Sequence, residues 1–122
     1  MAVLRAEADA PRFAAALESM TPLTMSAGTL QELGIVVLHK RGPKRLPELF
    51  DLIEAIGIDI APVSEQSARD AIDAYSRFGK GTRHPAQLNF GDCFAYALAK
   101  ALDEPLLYKG DDFAQTDIRS AL

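Results

Sequence analysis

The 122-residue sequence predicts an α/β fold, a small central parallel sheet flanked by helices. Three observations predict it. Short apolar runs alternate with segments of helical period, those segments carry their own start and stop residues, and no repeat or linker divides the chain. One domain spanning residues 1–122 is therefore expected, since this length supports one real core and not comfortably two.

Each element has its own local signal. "DAPRFAAALESM" (9–20) places an Asp before a Pro and then an alanine-rich run with Phe13, Ala16 and Leu17 on one face, the pattern of a helix. "PLTMS" reads as a buried strand. In "SAGTLQELGIVVLHKRG", Ser26 can cap a helix whose stripe is Leu30, Leu33, Val37 and Leu38, and Gly42 stops it. "GPKRLPELFDLIEAIGI" repeats the pattern with Leu46, Leu49, Ile53 and Ile56, closing at Gly57. "IDIAPVS" is a short strand, and Ser64 opens a further helix that ends near Gly79. "KGTRHPAQLN" is a polar loop holding Gly and Pro. "LNFGDCFAYALAK" (88–100) is the next helix, with Phe90, Phe94, Ala97 and Leu98 expected to anchor it, and Ala95 and Ala99 permitting close packing. "EPLLYKG" is a last buried strand, and the tail "DDFAQTDIRSAL" is ambiguous.

Composition narrows the function. With 48% hydrophobic and 25% charged residues the chain is an ordinary globular protein, and a net charge of −4 argues against coating nucleic acid by bulk electrostatics while leaving a local basic patch open. The one cysteine, Cys93, rules out an internal disulfide and a multi-cysteine zinc site, and fits a reducing compartment, so the cytoplasm is expected. No apolar run approaches the roughly 18 to 20 residues of a membrane span, and "MAVLRAEADAPRF" lacks the apolar region of a signal peptide; neither a membrane location nor export is expected.

In open α/β sheets, sites lie beyond the carboxyl ends of the strands. Three acidic positions fall there: Glu32 one turn into the helix after "LTMS", Asp92 in the first turn of the helix after the loop, and the pair Asp111 and Asp112 after "PLLYKG". Clustered carboxylates repel and raise one another's pKa, and a hard divalent cation relieves this while it can also contact a phosphate and activate water. Each acid also has a plainer reading. Asp92 suits the helix dipole, Glu32 a solvated helix face, and Asp111 and Asp112 a turn before a short helix at Phe113.

The combination carries more than any one residue. "SAGTLQELGIVV", "LNFGDCFAYALAKALDEPLLYKGDDFAQTDI" and the helical hairpin between them resemble the VapC-type toxins of the PIN-domain superfamily over nearly the whole chain. The resemblance implies a central parallel sheet flanked by helices and a Mg²⁺- or Mn²⁺-dependent endoribonuclease neutralised by a cognate antitoxin. It implies Glu32, Asp92 and Asp112 as metal-binding catalytic acids, with Asp111 in support, and it implies a homodimer with an antitoxin segment laid in a groove.

Family members usually begin with a strand ending in Asp, and this sequence has none. "MAVLRAEADAPRF" reads as the continuation of the run that comes after such a strand, so a central strand and one acidic ligand are expected to be missing, either through the choice of start or in a natural, catalytically impaired protein that still binds antitoxin. Lys80, Arg83 and His84 in the loop, with Lys109 near the acids, are candidates for contact with the RNA backbone. His84 as a general base and Cys93 as a nucleophile are both disfavoured, because a metal-bound water needs no base and nothing designates a base for Cys93. His39 suits a helix C-terminus. Tyr75, Phe78, Leu49, Phe50 and Ile53 are read as core or as part of a partner groove.

Overall fold

A computed structural model describes residues 2–4, 23–107 and 113–120. Four strands, β1 (Ala2–Leu4), β2 (Leu23–Ser26), β3 (Asp59–Ala61) and β4 (Leu106–Leu107), form one parallel sheet in the order β3-β2-β1-β4. Among the described residues four α-helices accompany it: α1 (Ala27–Arg41), α2 (Leu46–Ile56), α3 (Glu65–Phe78) and α4 (Phe90–Leu102). The α/β architecture predicted from the alternation of apolar runs and helical stripes is the one observed. The predicted helix over 9–20 lies outside the described residues.

The strand at the sheet centre is not one that the sequence predicts. Val3 is in register with Thr24 of β2 on one side and with Leu106 of β4 on the other. Ala2–Leu4 thus lies between β2 and β4. The reason is the ladder itself: β2 and β4 each present backbone groups toward the centre that need partners, and an apolar segment can supply them.

Helix boundaries follow local chemistry. Ser26 Oγ accepts the Gly28 N–H at 3.1 Å and caps α1, and the Gly42 N–H returns to the Leu38 carbonyl at 3.1 Å to close it. Pro43 opens a 3-10 turn (Pro43–Arg45) that leads into α2. Gly57, at φ +80°, ends α2 with its N–H on the Ile53 and Glu54 carbonyls, a left-handed conformation that glycine adopts without cost. Ser64 and Ser67 form a reciprocal capping box at the start of α3.

Helix α4 is the hub. Gly91, Asp92, Cys93, Ala95, Tyr96, Ala97 and Ala99 are all buried, and the main apolar cluster joins this helix to Ala74 and Phe78 of α3, Leu88, Leu106, Phe113 and Ile118. Small residues do most of the packing, in keeping with the expectation for Ala95 and Ala99. Phe90 does not anchor the helix: it sits at the first helical position, just after the cap, and is 78% exposed, with its ring edge-on to Phe94 at 5.2 Å. Of the other apolar candidates Phe78 is core, Leu49 and Ile53 are half-buried, and Phe50 and Tyr75 are exposed. Helix α2, which packs against α1 and the 3-10 turn, buries no residue fully.

The ambiguous tail proves to be part of the fold. A 3-10 turn at Phe113–Gln115 puts Phe113 wholly in the core, and the Leu106 N–H donates to the Arg119 carbonyl at 2.8 Å.

Candidate active site

Two of the predicted acids lie at the first turn of α4. Asn89 caps this helix by a reciprocal pair: its Oδ1 accepts the Asp92 N–H at 2.9 Å, and Asp92 Oδ2 accepts the Asn89 N–H at 3.1 Å. Asp92 is thereby fixed in rotamer and is 2% exposed. The dipole reading and the ligand reading of Asp92 are thus not exclusive, since one carboxylate oxygen serves the cap. The pattern Asn-x-x-Asp is legible in the sequence as a capping signal, although the sequence analysis does not single out Asn89.

Glu32 reaches the same place from α1. Its carboxylate lies against Gly91, so close that an ideally placed Cβ on that glycine would stand 1.5 Å from Glu32 Oε2 and 2.4 Å from its Cδ. One turn earlier on α1 the relation is reversed: a Cβ on Gly28 would stand 2.6 Å from Cγ of the Phe94 ring. Each helix thus offers a glycine to a large side chain of the other. Because α1 follows directly from β2, this interlock holds the start of α4 at the carboxyl edge of the sheet.

Glu32 thus lies against the residue that precedes Asp92, at the start of α4, where the helix supplies roughly half a positive charge. Among the described residues no three of His, Cys, Asp and Glu are grouped as a metal site; Asp111, Asp112 and Lys109 lie outside them. Glu32 and Asp92 are nevertheless the right donors for Mg²⁺ or Mn²⁺, hard oxygens that leave most of the coordination shell to water, other ligands or substrate.

The loop between α3 and α4 is closed at its base, with the Lys80 N–H on the Leu88 carbonyl at 2.9 Å and the Leu88 N–H on the Phe78 carbonyl at 2.8 Å. Lys80 and Asn89 line one apolar cleft of about 710 Å³ together with Ile72, Tyr75, Phe90 and Phe94, so the structure brings Lys80 to the start of α4. Arg83 is exposed at φ +65°. His84 has a structural job instead: its Nδ1 accepts the Ala86 N–H at 3.0 Å and its ring stands edge-on to Phe78 at 4.9 Å. His39 is exposed in the last turn of α1 beside Lys40 and Arg41, in line with the prediction from its helix position.

Burial, with a smaller contribution from the Asp92 charge, pushes the Cys93 thiol up to about 11, which keeps it protonated and unreactive. A feature missed in the sequence is a clamp on the C-terminal segment. Asp117 accepts from the Tyr96 hydroxyl and from Lys100 Nζ at 3.0 Å, with Arg77 3.8 Å away. Burial raises the Asp117 carboxyl, but the hydrogen bonds from Tyr96 and Lys100 outweigh it and hold the group below its ordinary value. Burial and the same bond push the Tyr96 hydroxyl up.

Comparisons with known proteins extend over the same span. The family profile described as PIN domain matches residues 1–119. The chain is 46% identical over 122 residues to ribonuclease VapC28 of Mycobacterium tuberculosis, covering 100% of this chain and 92% of that one. The crystal structure of the Mycobacterium tuberculosis VapC20 toxin, which cleaves the sarcin-ricin loop, superposes with a TM-score of 0.75 at 13% identity, covering 97% and 96% of the two chains. A toxin-antitoxin complex from Klebsiella pneumoniae superposes with a TM-score of 0.69 at 16% identity, covering 93% and 91%. At these identities the two structures speak for the fold. No described helix is long and apolar enough to cross a membrane.

Proposed function

The chain belongs to the PIN-domain family, and from that premise we propose that it is a cytoplasmic, Mg²⁺-dependent endoribonuclease, the toxin of a toxin–antitoxin pair. The observation that carries this reading is the convergence of Glu32 on the first turn of α4, beside the buried Asp92, in a chain 46% identical along its length to a VapC ribonuclease.

Glu32 and Asp92, with Asp112 and Asp111, would hold the ion, and Mn²⁺ would substitute for it. When bound, it supplies a Lewis acid for hydrolysis of an RNA phosphodiester. The protein's own part is to fix the ligands: the Asn89 cap orients Asp92, and the interlock of α1 with α4 aims Glu32 at the start of α4. Lys80 and Arg83, at the loop that leads into α4, would neutralise phosphates of the bound strand, with Lys109 a further candidate. His84 takes no part as a base, because its Nδ1 is engaged in holding the loop.

The partners proposed are a cognate antitoxin and a second copy of the chain. Apolar side chains left exposed on two faces support this: Ile35, Leu38 and Phe50 between α1 and α2, and Ile72, Tyr75 and Phe90 along the cleft between α3 and α4. A second reading is a catalytically impaired protein that retains antitoxin binding; it holds if cleavage needs the Asp-ended strand that the resemblance implies.

The test is cleavage of a structured RNA with Mg²⁺ or Mn²⁺ by this chain, by Asp92→Asn and by a chain extended upstream with an Asp-ended strand. Metal-dependent cleavage that Asp92→Asn abolishes is the expected result. Cleavage by the extended chain alone would assign the loss to the missing Asp, and silence in all three would favour the binding reading.

A further inference from the structure

We propose that Gly91 is a positioning residue, whose missing side chain leaves the seat in which the Glu32 carboxylate is held beside Asp92. The inference rests on the reading of Glu32 and Asp92 as metal ligands.

Gly91 is buried in the first turn of α4, a place where glycine is the poorest choice after proline unless the backbone requires it. The backbone does not require it: the glycines with positive φ among the described residues are Gly42, Gly57 and Gly81, and Gly91 is not one of them. What the glycine provides is space. A methyl group at this position would overlap Glu32 Oε2 and stand within 2.8 Å of Oε1 as well, so the whole carboxylate occupies the volume of the absent side chain.

The seat has three consequences for the site. It sets Glu32 against the residue that precedes Asp92, whose own rotamer the Asn89 cap has fixed. It puts the Glu32 charge at the positive end of α4, which offsets part of the repulsion between the two carboxylates. It also makes the position of Glu32 sensitive to one methyl group: to regain van der Waals distance from a Cβ, the carboxylate must retreat by roughly 2 Å. Displacements of this size in a reacting constellation cost about 100-fold in rate. Outer-shell supports of metal ligands are worth about 10- to 100-fold in affinity.

The experiment compares the unsubstituted chain with Gly91→Ala, Glu32→Asp, the two together, and Asp92→Asn. Mn²⁺ affinity is measured by titration calorimetry, and thermal midpoints are measured without metal, with Glu32→Ala and Gly91→Ala/Glu32→Ala added to that series. The expected result is a 10- to 100-fold loss of Mn²⁺ affinity in Gly91→Ala, and no further loss when Glu32→Asp is added, because the shorter side chain makes room for the methyl group. Without metal, Gly91→Ala should raise the midpoint more when Glu32→Ala is also present than when Glu32 is intact. Unchanged Mn²⁺ affinity in Gly91→Ala, or the same midpoint shift in both backgrounds, overturns the seat. If Asp92→Asn binds Mn²⁺ as the unsubstituted chain does, or neither binds it, the metal reading fails and the metal-free series alone decides on the seat.

Discussion

Replacing Gly28 with Ala tests whether α1 and α4 are as tightly interlocked as their contact suggests. The added Cβ would lie 2.6, 2.7 and 2.8 Å from Cγ, Cδ1 and Cδ2 of Phe94, all closer than carbon atoms tolerate. Unlike a carboxylate at the end of a mobile chain, these are the rigid inner atoms of a ring, and Phe94 is itself packed between α1 and the edge of Phe90. Overpacking of this kind costs about 1–3 kcal/mol. Against it stands the ordinary benefit of Ala over Gly in a helix, about 1 kcal/mol and less in the first turn. The net expectation is a destabilisation of about 1–2 kcal/mol, which for a chain of this size lowers the thermal midpoint by about 3–8 °C. The assay is thermal and urea unfolding of four proteins: the unsubstituted chain, Gly28→Ala, Phe94→Ala and the double variant. Once Phe94→Ala has removed the ring, Gly28→Ala should become neutral or stabilising by up to about 1 kcal/mol. If Gly28→Ala stabilises the otherwise unsubstituted chain, the interlock is not tight and cannot be what aims Glu32.

Two further expectations concern ionisation. Asp117 has a folded-state pKa below its unfolded value, so the clamp contributes stability that is present above about pH 4 and is lost as pH falls through the lower folded value. Asp117→Asn should therefore lower the midpoint at pH 7 and flatten the acid limb of the stability profile; an unaltered acid limb would show that the clamp does not contribute. The Cys93 thiol, pushed up to about 11, stays neutral when folded and ionises more readily when unfolded, so its contribution is complete below the unfolded pKa and declines as pH rises from there toward about 11. Iodoacetamide at pH 8 should accordingly modify Cys93 only at the rate of unfolding, and rapid labelling of the folded chain would contradict its burial.

Much of the fold was legible because its signals are local. Ser26, Gly42, Gly57 and Ser64 mark helix ends through bonds that their own side chains or backbones make within a few residues, and short apolar runs such as PLTMS and IDIAPVS read as strands. The wording of the segment from Leu88 to Ile118 likewise carried the family, which the match to the PIN domain and the likeness to VapC ribonucleases bear out. The rule that sites lie at the carboxyl ends of parallel strands located Glu32 and Asp92 as candidate acids, and the family resemblance is what implied their role.

What the sequence could not determine were the relations that depend on two helices meeting. Nothing near Phe90 says that the first helical position of α4 faces solvent, because periodicity ranks residues by face and not by how far the neighbouring elements extend over that face. The same holds for the pairing of Ala2–Leu4 with β2 and β4, which is decided by ladder groups supplied from distant parts of the chain. Tyr96 and Asp117 read separately as a helix aromatic and a tail acid, and only the return of the tail across α4 makes them a clamp. Gly28 and Gly91 are the clearest case. In one dimension each is a weak helix residue, and only in three dimensions does the space beside each become the place that the other helix fills, with a ring in one and a carboxylate in the other.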